Sequence, residues 1–254
     1  MTSQRNWTGF TFSIGCGVLM VASAGCIAPA PSAPGAAPGS PASLGGAAAA
    51  FKDCGAEGML DDGEDGNNQT LPAGNRGGYW YTFVDKAGTT VTPMAGEQGG
   101  TFAMTEGGAN GSKFAANFKG KIATGASVVF SGMGLNFVDP KDKYDASKYA
   151  GIAFFAKRGE DSTGKVRLKV PDLNTDPEGG VCSECFNDFG ADMSLATEWK
   201  KYVFPFKKMA QMPGWGAPRK PHIVPSAIYG LQWQVNVPGA SYDIWVDDVQ
   251  FICQ

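Results

Sequence analysis

Alternating apolar and polar side chains mark several short segments in the second half of the chain. In one of them Val166, Leu168 and Val170 occupy every second position. The basic side chains Arg167 and Lys169 lie between these apolar ones. A period of two is typical of a strand with one buried face, because successive side chains of a strand point to opposite sides. We therefore expect a strand here with Arg167 and Lys169 on its outer face.

Similar patterns predict strands along most of the chain after residue 112. Pro205 indicates an edge strand or a bulge, since proline cannot donate a ladder hydrogen bond. The pair Asp247 and Asp248 indicates a bulge in the last strand. The predicted segments are 113–122, 126–137, 149–158, 166–170, 199–206, 228–235 and 242–253.

The first two of these segments, 113–122 and 126–137, are expected to pair as a hairpin around residues 123–125. No amphipathic helix and no internal repeat is visible in the sequence. The pattern therefore predicts an all-β domain of about ten strands, arranged as a two-sheet β-sandwich or a barrel.

The first 26 residues have the features of an export signal. Arg5 supplies a positive charge, and the apolar stretch 10–22 is shorter than a membrane-spanning helix needs. Small residues then precede Cys26, which resembles a bacterial lipoprotein signal and implies that Cys26 is lipidated. Ser23 stands where such signals usually have an aliphatic residue. Ordinary secretion with cleavage nearby is therefore the alternative.

A low-complexity segment follows the signal. Residues 27–50 contain mainly Pro, Ala, Gly and Ser, with no charge and no aromatic side chain. Such a segment cannot bury a core and serves as a tether. We expect one β-sandwich domain over 51–254, exported and held by a lipid anchor at the bacterial cell envelope or surface.

Composition excludes two classes of partner. Lys and Arg together number 21 and Asp and Glu together 24, so the net charge is −3. This weak acidity argues against nucleic acid and against an anionic membrane surface as the main partner. We expect membrane contact through the lipid anchor only. The sequence shows no dimer signal, so a monomer is expected.

The cysteines support an oxidising location. Cys16 would leave with the signal and Cys26 would carry lipid. An even number of cysteines then remains, and in an oxidising compartment an even number indicates disulfides. The remaining cysteines are Cys54, Cys182, Cys185 and Cys253.

Cys182 and Cys185 form a C-x-x-C motif in a loop. A local disulfide is favoured over half of a zinc site, because there is no second C-x-x-C and His222 is the only histidine. A zinc site that uses all four cysteines is the alternative. Cys54 precedes the first expected strand and Cys253 ends the last, so a Cys54–Cys253 disulfide would close the domain if the terminal strands are neighbours.

Five segments resemble, in this order, the family 11 carbohydrate-binding modules and related galactose-binding-like jelly rolls. Together they span residues 58–252, although each alone is a weak motif. Residues 171–192 look like an insertion that the typical module lacks, and the identity of the glycan does not carry over. The five segments are 59–64 (MLDDGE), 149–154 (YAGIAF), 199–206 (WKKYVFPF), 228–233 (IYGLQW) and 244–251 (IWVDDVQF).

The resemblance implies a jelly roll whose first and last strands are adjacent, which favours the Cys54–Cys253 pairing. It also implies a structural calcium ion near those strands. Asp62, Glu64 and Asp247 are the candidate ligands, since calcium prefers several oxygen ligands. The alternative is a solvated acidic turn.

The resemblance further implies a concave sheet face that holds a glucan chain. Sugar binding needs flat rings for the C–H faces of pyranoses and planar polar groups for their hydroxyls. Alternation in 228–235 puts Leu231 and Trp233 in the core and the glutamines between and after them outside. Trp80, between Tyr79 and Tyr81, is a further candidate for a sugar-binding ring. The candidate ligand-binding residues are Tyr79, Tyr81, Arg167, Trp215, Gln232 and Gln234.

These observations predict non-catalytic binding of a polysaccharide, with a β-glucan as the first candidate. One alternative is a structural or adhesive surface protein that uses the same sandwich without a sugar site, in which case Tyr81 and Trp215 would be buried. A less favoured alternative is a polysaccharide hydrolase, which needs two carboxylates roughly 5–10 Å apart in a cleft. With one histidine and no G-x-S-x-G motif, no catalytic residue is predicted.

Overall fold

The computed structural model describes residues 51–253, which form strands and no α-helix. The predicted signal, the tether and Cys26 lie outside the described residues. No helix in the described part is long and apolar enough to span a membrane. Single-turn 3-10 helices cover Glu97–Gly99, Pro177–Gly179, Phe206–Lys208 and Pro225–Ala227. The strands are β1 (Lys52–Asp53), β2 (Met59–Asp61), β3 (Trp80–Val84), β4 (Thr90–Thr92), β5 (Thr105–Glu106), β6 (Phe114–Lys121), β7 (Ser131–Asn136), β8 (Gly151–Arg158), β9 (Lys165–Val170), β10 (Phe189–Ser194), β11 (Lys200–Pro205), β12 (Gly230–Val235) and β13 (Ser241–Cys253).

These strands form two antiparallel sheets. The larger sheet has the order β11-β8-β13-β6-β4, with β1 and β2 also paired to β13 and β5 paired to β6. The smaller sheet has the order β10-β9-β12-β7-β3. The predicted all-β, two-sheet sandwich is therefore confirmed. The described residues form 13 strands instead of about ten, and β1, β2, β4 and β5 have only two or three residues each, too few to show alternation.

The expected hairpin of 113–122 with 126–137 is wrong. β6 pairs with β4, β5 and β13 in the larger sheet, whereas β7 pairs with β3 and β12 in the smaller one. The chain crosses between the sheets after β6, and the backbone N–H of Phe130 donates to the Asp85 carboxylate just before β7 begins. Alternation identifies a strand with one buried face but does not say in which sheet it lies.

Two tryptophans from the smaller sheet occupy the centre of the core. The rings of Trp80 and Trp233 stack with their centroids 5.5 Å apart. Phe154, from β8 of the larger sheet, meets Trp233 edge-on at 5.3 Å. This cluster joins the two sheets, and truncating such a buried ring to alanine typically costs about 3–5 kcal/mol. The interpretation of Trp80 as an exposed ring is wrong, because the side chain is fully buried.

A buried carboxylate holds the indole of Trp80. Its Nε1 donates to Asp61 Oδ2 at 2.7 Å, and the backbone N–H of Gly63 donates to Asp61 Oδ1 at 2.7 Å. Burial raises the pKa of Asp61 to about 7 in spite of these two hydrogen bonds. This hydrogen bond between Asp61 of β2 and Trp80 of β3 fixes the position of the indole.

Strand β13 is the centre of the larger sheet. Its first half pairs with β6, and its second half pairs with β2 and β1, where Cys253 lies opposite Lys52. The change of partner occurs where the register shifts between Asp247 and Gln250, with Asp248 at a φ of 48°. The predicted bulge at Asp247 and Asp248 and the predicted adjacency of the terminal strands are confirmed.

Both expected disulfides are present. Cys54 and Cys253 are joined across 199 residues with their Cα atoms 5.4 Å apart. Cys182 and Cys185 are joined across three residues with their Cα atoms 5.1 Å apart. The first bond links the two ends of the described domain, and the second closes a small loop before β10.

We predict that the two disulfides contribute unequally to stability. In the chain-entropy model a crosslink over about 200 residues stabilises by roughly 5 kcal/mol, and one over four residues by roughly 2 kcal/mol. Chemical unfolding of the Cys54→Ser/Cys253→Ser and Cys182→Ser/Cys185→Ser variants should therefore show the larger loss for the first. Equal losses would contradict this order.

Candidate binding groove

The outer face of the smaller sheet carries a groove of about 900 Å³. This volume lies in the range of about 300–1,000 Å³ that is typical of small-ligand sites. The six candidate ligand-binding residues named from the sequence all line it: Tyr79, Tyr81, Arg167, Trp215, Gln232 and Gln234. Strands far apart in the sequence therefore bring these side chains to one surface.

The register of the strands sets the order of chemistry across the groove. In one row Tyr81 of β3 lies opposite Gly134 of β7, which is opposite Gln232 of β12, which is opposite Lys169 of β9. The next row runs in the same way through Phe83, Gly132, Gln234 and Arg167. The groove thus passes from aromatic rings through glycines and amides to basic side chains.

Glycines of β7 make room for the aromatic rings. A Cβ atom on Gly134 would overlap the ring of Tyr81, and one on Gly132 would overlap the ring of Phe83. The two rings therefore lie over the glycine backbone instead of standing away from the sheet. The result is an apolar strip of rings along β3 and β7.

The aromatic strip is continuous along the edge of the sheet. Ring centroids are 6.3 Å apart for Tyr79 and Tyr81, 6.2 Å for Tyr81 and Phe83, and 6.1 Å for Phe83 and Phe130. Phe83 and Phe130 were not named from the sequence, although Phe83 shares the outward phase of Tyr79 and Tyr81. Four neighbouring rings offer an extended surface for the apolar faces of a ligand.

The hydroxyl of Tyr81 connects the strip to the amides. Gln232 Nε2 donates to the Tyr81 oxygen at 3.1 Å. The phenol of a tyrosine is protonated at neutral pH, and burial raises the pKa of Tyr81 further. The phenol proton remains available as a donor next to the flat rings.

Basic side chains at the groove are each paired with a carboxylate. This pairing leaves donors in the groove while cancelling much of the positive charge. Arg167 also donates through Nη2 to the backbone oxygen of Ala210 at 2.6 Å, which fixes its guanidinium. The pairs are Arg167 with Asp192 at 3.0 Å, Lys169 with Asp188 at 2.9 Å and Lys141 with Asp176 at 2.6 Å.

Lys169 and Asp188 form a buried pair that sequence reasoning missed. Lys169 was expected on the outer face and lies there, but it is only 7% exposed. Asp188 is 1% exposed, and neither of its oxygens accepts a hydrogen bond of good geometry. The nearby ammonium of Lys169 is therefore its main compensation. Asp188 lies in the 171–192 insertion, and the sequence does not show which strand it would meet.

The three candidate metal ligands lie away from the groove. Glu64 Oε1 accepts the backbone N–H groups of Lys113 and Phe114 at 2.8 and 3.0 Å. Asp247 Oδ2 accepts the N–H of Ala109 at 2.6 Å. Asp62 Oδ1 accepts the N–H of Glu64 at 3.2 Å.

In this structure the three carboxylates accept hydrogen bonds from backbone amides. Burial raises the pKa of Asp247 to about 6. Within residues 51–253 no group of three or more His, Cys, Asp or Glu side chains is arranged to hold a metal ion. Calcium binding stays a prediction from the resemblance alone, and we derive no role for it.

Comparison with solved structures identifies the architecture. The chain is similar to the family 11 carbohydrate-binding module of a cellulosomal cellulase of Clostridium thermocellum, with a TM-score of 0.53 and 16% identity over 77% of this chain and 94% of that one. The described domain has the fold of that module, a two-sheet jelly roll. No protein-family model matches the sequence, and no curated protein does.

Two further structures belong to the same comparison. One is a family 11 module from Clostridium thermocellum in complex with a β-1,3-1,4-mixed-linked tetrasaccharide, with a TM-score of 0.53 and 16% identity over 77% of this chain and 95% of that one. The other is a family 30 module of a cellulosomal cellulase of the same organism, with a TM-score of 0.47 and 11% identity over 69% and 91% of the two chains. At 16% identity the likeness to the family 11 modules shows the fold alone.

We predict that Gly134→Ala will damage the groove while leaving the core in place. The new methyl group must displace the ring of Tyr81, which breaks its hydrogen bond with Gln232, and such overpacking typically costs about 1–3 kcal/mol. Chemical unfolding and the near-ultraviolet circular dichroism of tyrosine would measure both effects. Gly77→Ala is the control, because a Cβ there meets no atom within 4 Å. Parent-like behaviour of Gly134→Ala would contradict this account.

We predict that calcium has little effect on the stability of this jelly roll. Because backbone amides already occupy Glu64 and Asp247, the thermal unfolding midpoint should be the same in excess calcium and in excess chelator. A midpoint several degrees higher in calcium would show that the ion displaces these amides. That result would restore the calcium site implied by the resemblance.

Proposed function

We propose that this domain binds a polysaccharide in the groove without catalysis. The observation that carries the proposal is the row in which Tyr81, Gln232 and Lys169 line the groove, with Gly134 of β7 between Tyr81 and Gln232. A pyranose ring has apolar C–H faces and an equatorial rim of hydroxyls. The flat rings suit the faces, and the amide, phenol and ammonium groups suit the hydroxyls.

The charge arrangement supports a ligand recognised by hydrogen bonds. Arg167, Lys169 and Lys141 each have a carboxylate partner within 3.0 Å. Charge-assisted donors held in fixed positions bind hydroxyl oxygens strongly. We infer a glycan of uncharged sugars as the ligand. A β-glucan is the first to test, because a similar module was solved in complex with a β-1,3-1,4-mixed-linked tetrasaccharide.

The absence of a catalytic pair in the groove supports binding over hydrolysis. Among the groove-lining residues of the described part of the chain, Asp188 is the only carboxylate, and it is buried beside Lys169. A glycosidase needs two carboxylates that flank the scissile bond. The purely structural alternative has less support, since Trp215 is 46% exposed and lines a groove.

The cellular setting is proposed from the sequence. An exported protein anchored through Cys26, with the low-complexity tether over 27–50, would hold the groove away from the membrane. Such reach suits a domain that must meet an external polysaccharide.

We predict that Trp215→Ala and Tyr81→Ala each weaken glycan binding about tenfold or more, as expected for the loss of roughly 1.4 kcal/mol of stacking energy per ring. Calorimetric titration with a soluble β-1,3-1,4-glucan would measure the affinities. Trp199→Ala is the matched control, because this ring packs near Lys157 on the other sheet.

If both groove variants keep the affinity of the parent protein, the glycan binds outside this groove. If the folded parent protein binds no β-glucan, a broad glycan array decides between another sugar and the structural-protein alternative. If the protein binds no glycan of that array, the proposed function is wrong.

A further inference from the structure

Two loops at the β10 edge of the groove are joined into one structural unit. Glu184 and Ala217 form an isolated β-bridge, with the N–H of Ala217 donating to the Glu184 oxygen at 3.1 Å. The Glu184 side chain also accepts the N–H of Gly216 at 3.1 Å. The Cys182–Cys185 disulfide closes the first loop within this unit.

A buried amide completes the connection between the loops. Asn187 is 1% exposed, and its Nδ2 donates to the backbone oxygens of Met212 and Trp215 at 2.9 and 2.6 Å. Its Oδ1 accepts the N–H of Met212 at 2.9 Å. Gly216 has a φ of 84°, and a Cβ there would overlap Asn187. The backbone that carries Trp215 is thereby fixed.

Phe186 lies in this unit with two unfavourable features. Its φ is 72°, a left-handed conformation that is costly for a bulky side chain. Its ring is 57% exposed, so burial does not compensate for the strain. The N–H of Phe186 donates to the backbone oxygen of Thr175 at 2.8 Å, which holds the strained backbone in place. A glycine would satisfy the fold here without strain.

Phe186 lies at the border of the groove, where its ring can contact a ligand. Phe186 and Trp215 both line the groove. In the strand order β10-β9-β12-β7-β3, Tyr81 and Phe83 belong to one edge, whereas Phe186 precedes β10 at the other edge. The segment that carries Trp215 lies on the same side, since Gly190 of β10 bridges to Ala210. Aromatic rings therefore border the groove at both edges of the sheet.

We propose that Phe186 is a sugar-binding residue that forms, with Trp215, a second aromatic wall opposite Tyr81 and Phe83. This inference rests on the proposed function and adds to it a contact made by the 171–192 insertion. The wall presents rings to the apolar faces of a pyranose. The hydrogen bonds of Asn187 and the Cys182–Cys185 disulfide fix the backbone that carries these rings. Strain at Phe186 is the cost of placing a ring at this point.

The test separates the ring from the backbone that carries it. Phe186→Gly removes the ring and relieves the strain, so its thermal unfolding midpoint should equal or exceed that of the parent while its affinity for the bound glycan falls at least fivefold. Phe186→Tyr keeps the ring and should bind within twofold of the parent. Val181→Ala is the control, since Val181 is 44% exposed in the same loop but does not line the groove.

Each outcome bears on a different statement. A Phe186→Gly variant that binds as tightly as the parent would overturn the role of Phe186 while leaving the proposed function intact. Loss of affinity with a clearly lowered midpoint, not restored by Phe186→Tyr, would also overturn it and indicate a structural role. If the parent binds no glycan on a broad array, the proposed function fails and the inference fails with it.

Discussion

The stacking of Trp80 on Trp233 in the core determines which face of the smaller sheet becomes the groove. Both rings must point inward, since together with Phe154 they join the two sheets. Successive side chains of a strand point to opposite faces. Burying Trp80 therefore turns Tyr79 and Tyr81 outward, just as burying Trp233 turns Gln232 and Gln234 outward. The most buried residues and the candidate ligand-binding residues are thus two results of one constraint.

The groove also depends on two positions of β7 that carry no side chain. Gly132 and Gly134 of β7 give the rings of Phe83 and Tyr81 space to lie down on the sheet. Glycine weakens a strand, because it gains little from packing and loses more backbone entropy on folding. These destabilising glycines lie where the aromatic strip forms. The Tyr81–Gln232 hydrogen bond passes over Gly134, where there is no side chain to block it.

The insertion before β10 supplies the opposite border and much of the compensating charge. Asp176 and Asp188 reach Lys141 and Lys169 from this segment. Charged groups placed in a partly buried groove need partners, or their desolvation would destabilise the fold. The same segment carries Phe186, so an irregular loop sets both the electrostatics and one wall of the groove.

The sequence by itself determined the fold class, strands β6 to β9 and β11 to β13, the bulge at Asp247 and Asp248, and the outward phase of Arg167, Gln232 and Gln234, because alternation and turn residues are local signals. Only the tertiary structure decided that β6 and β7 lie in different sheets, that Asp188 meets Lys169, and that Phe186 borders the groove. Those relations join residues of unrelated sequence position, and they depend on strand order and loop packing. A period of two shows which side chains share a face, but it does not show which strand comes next to them.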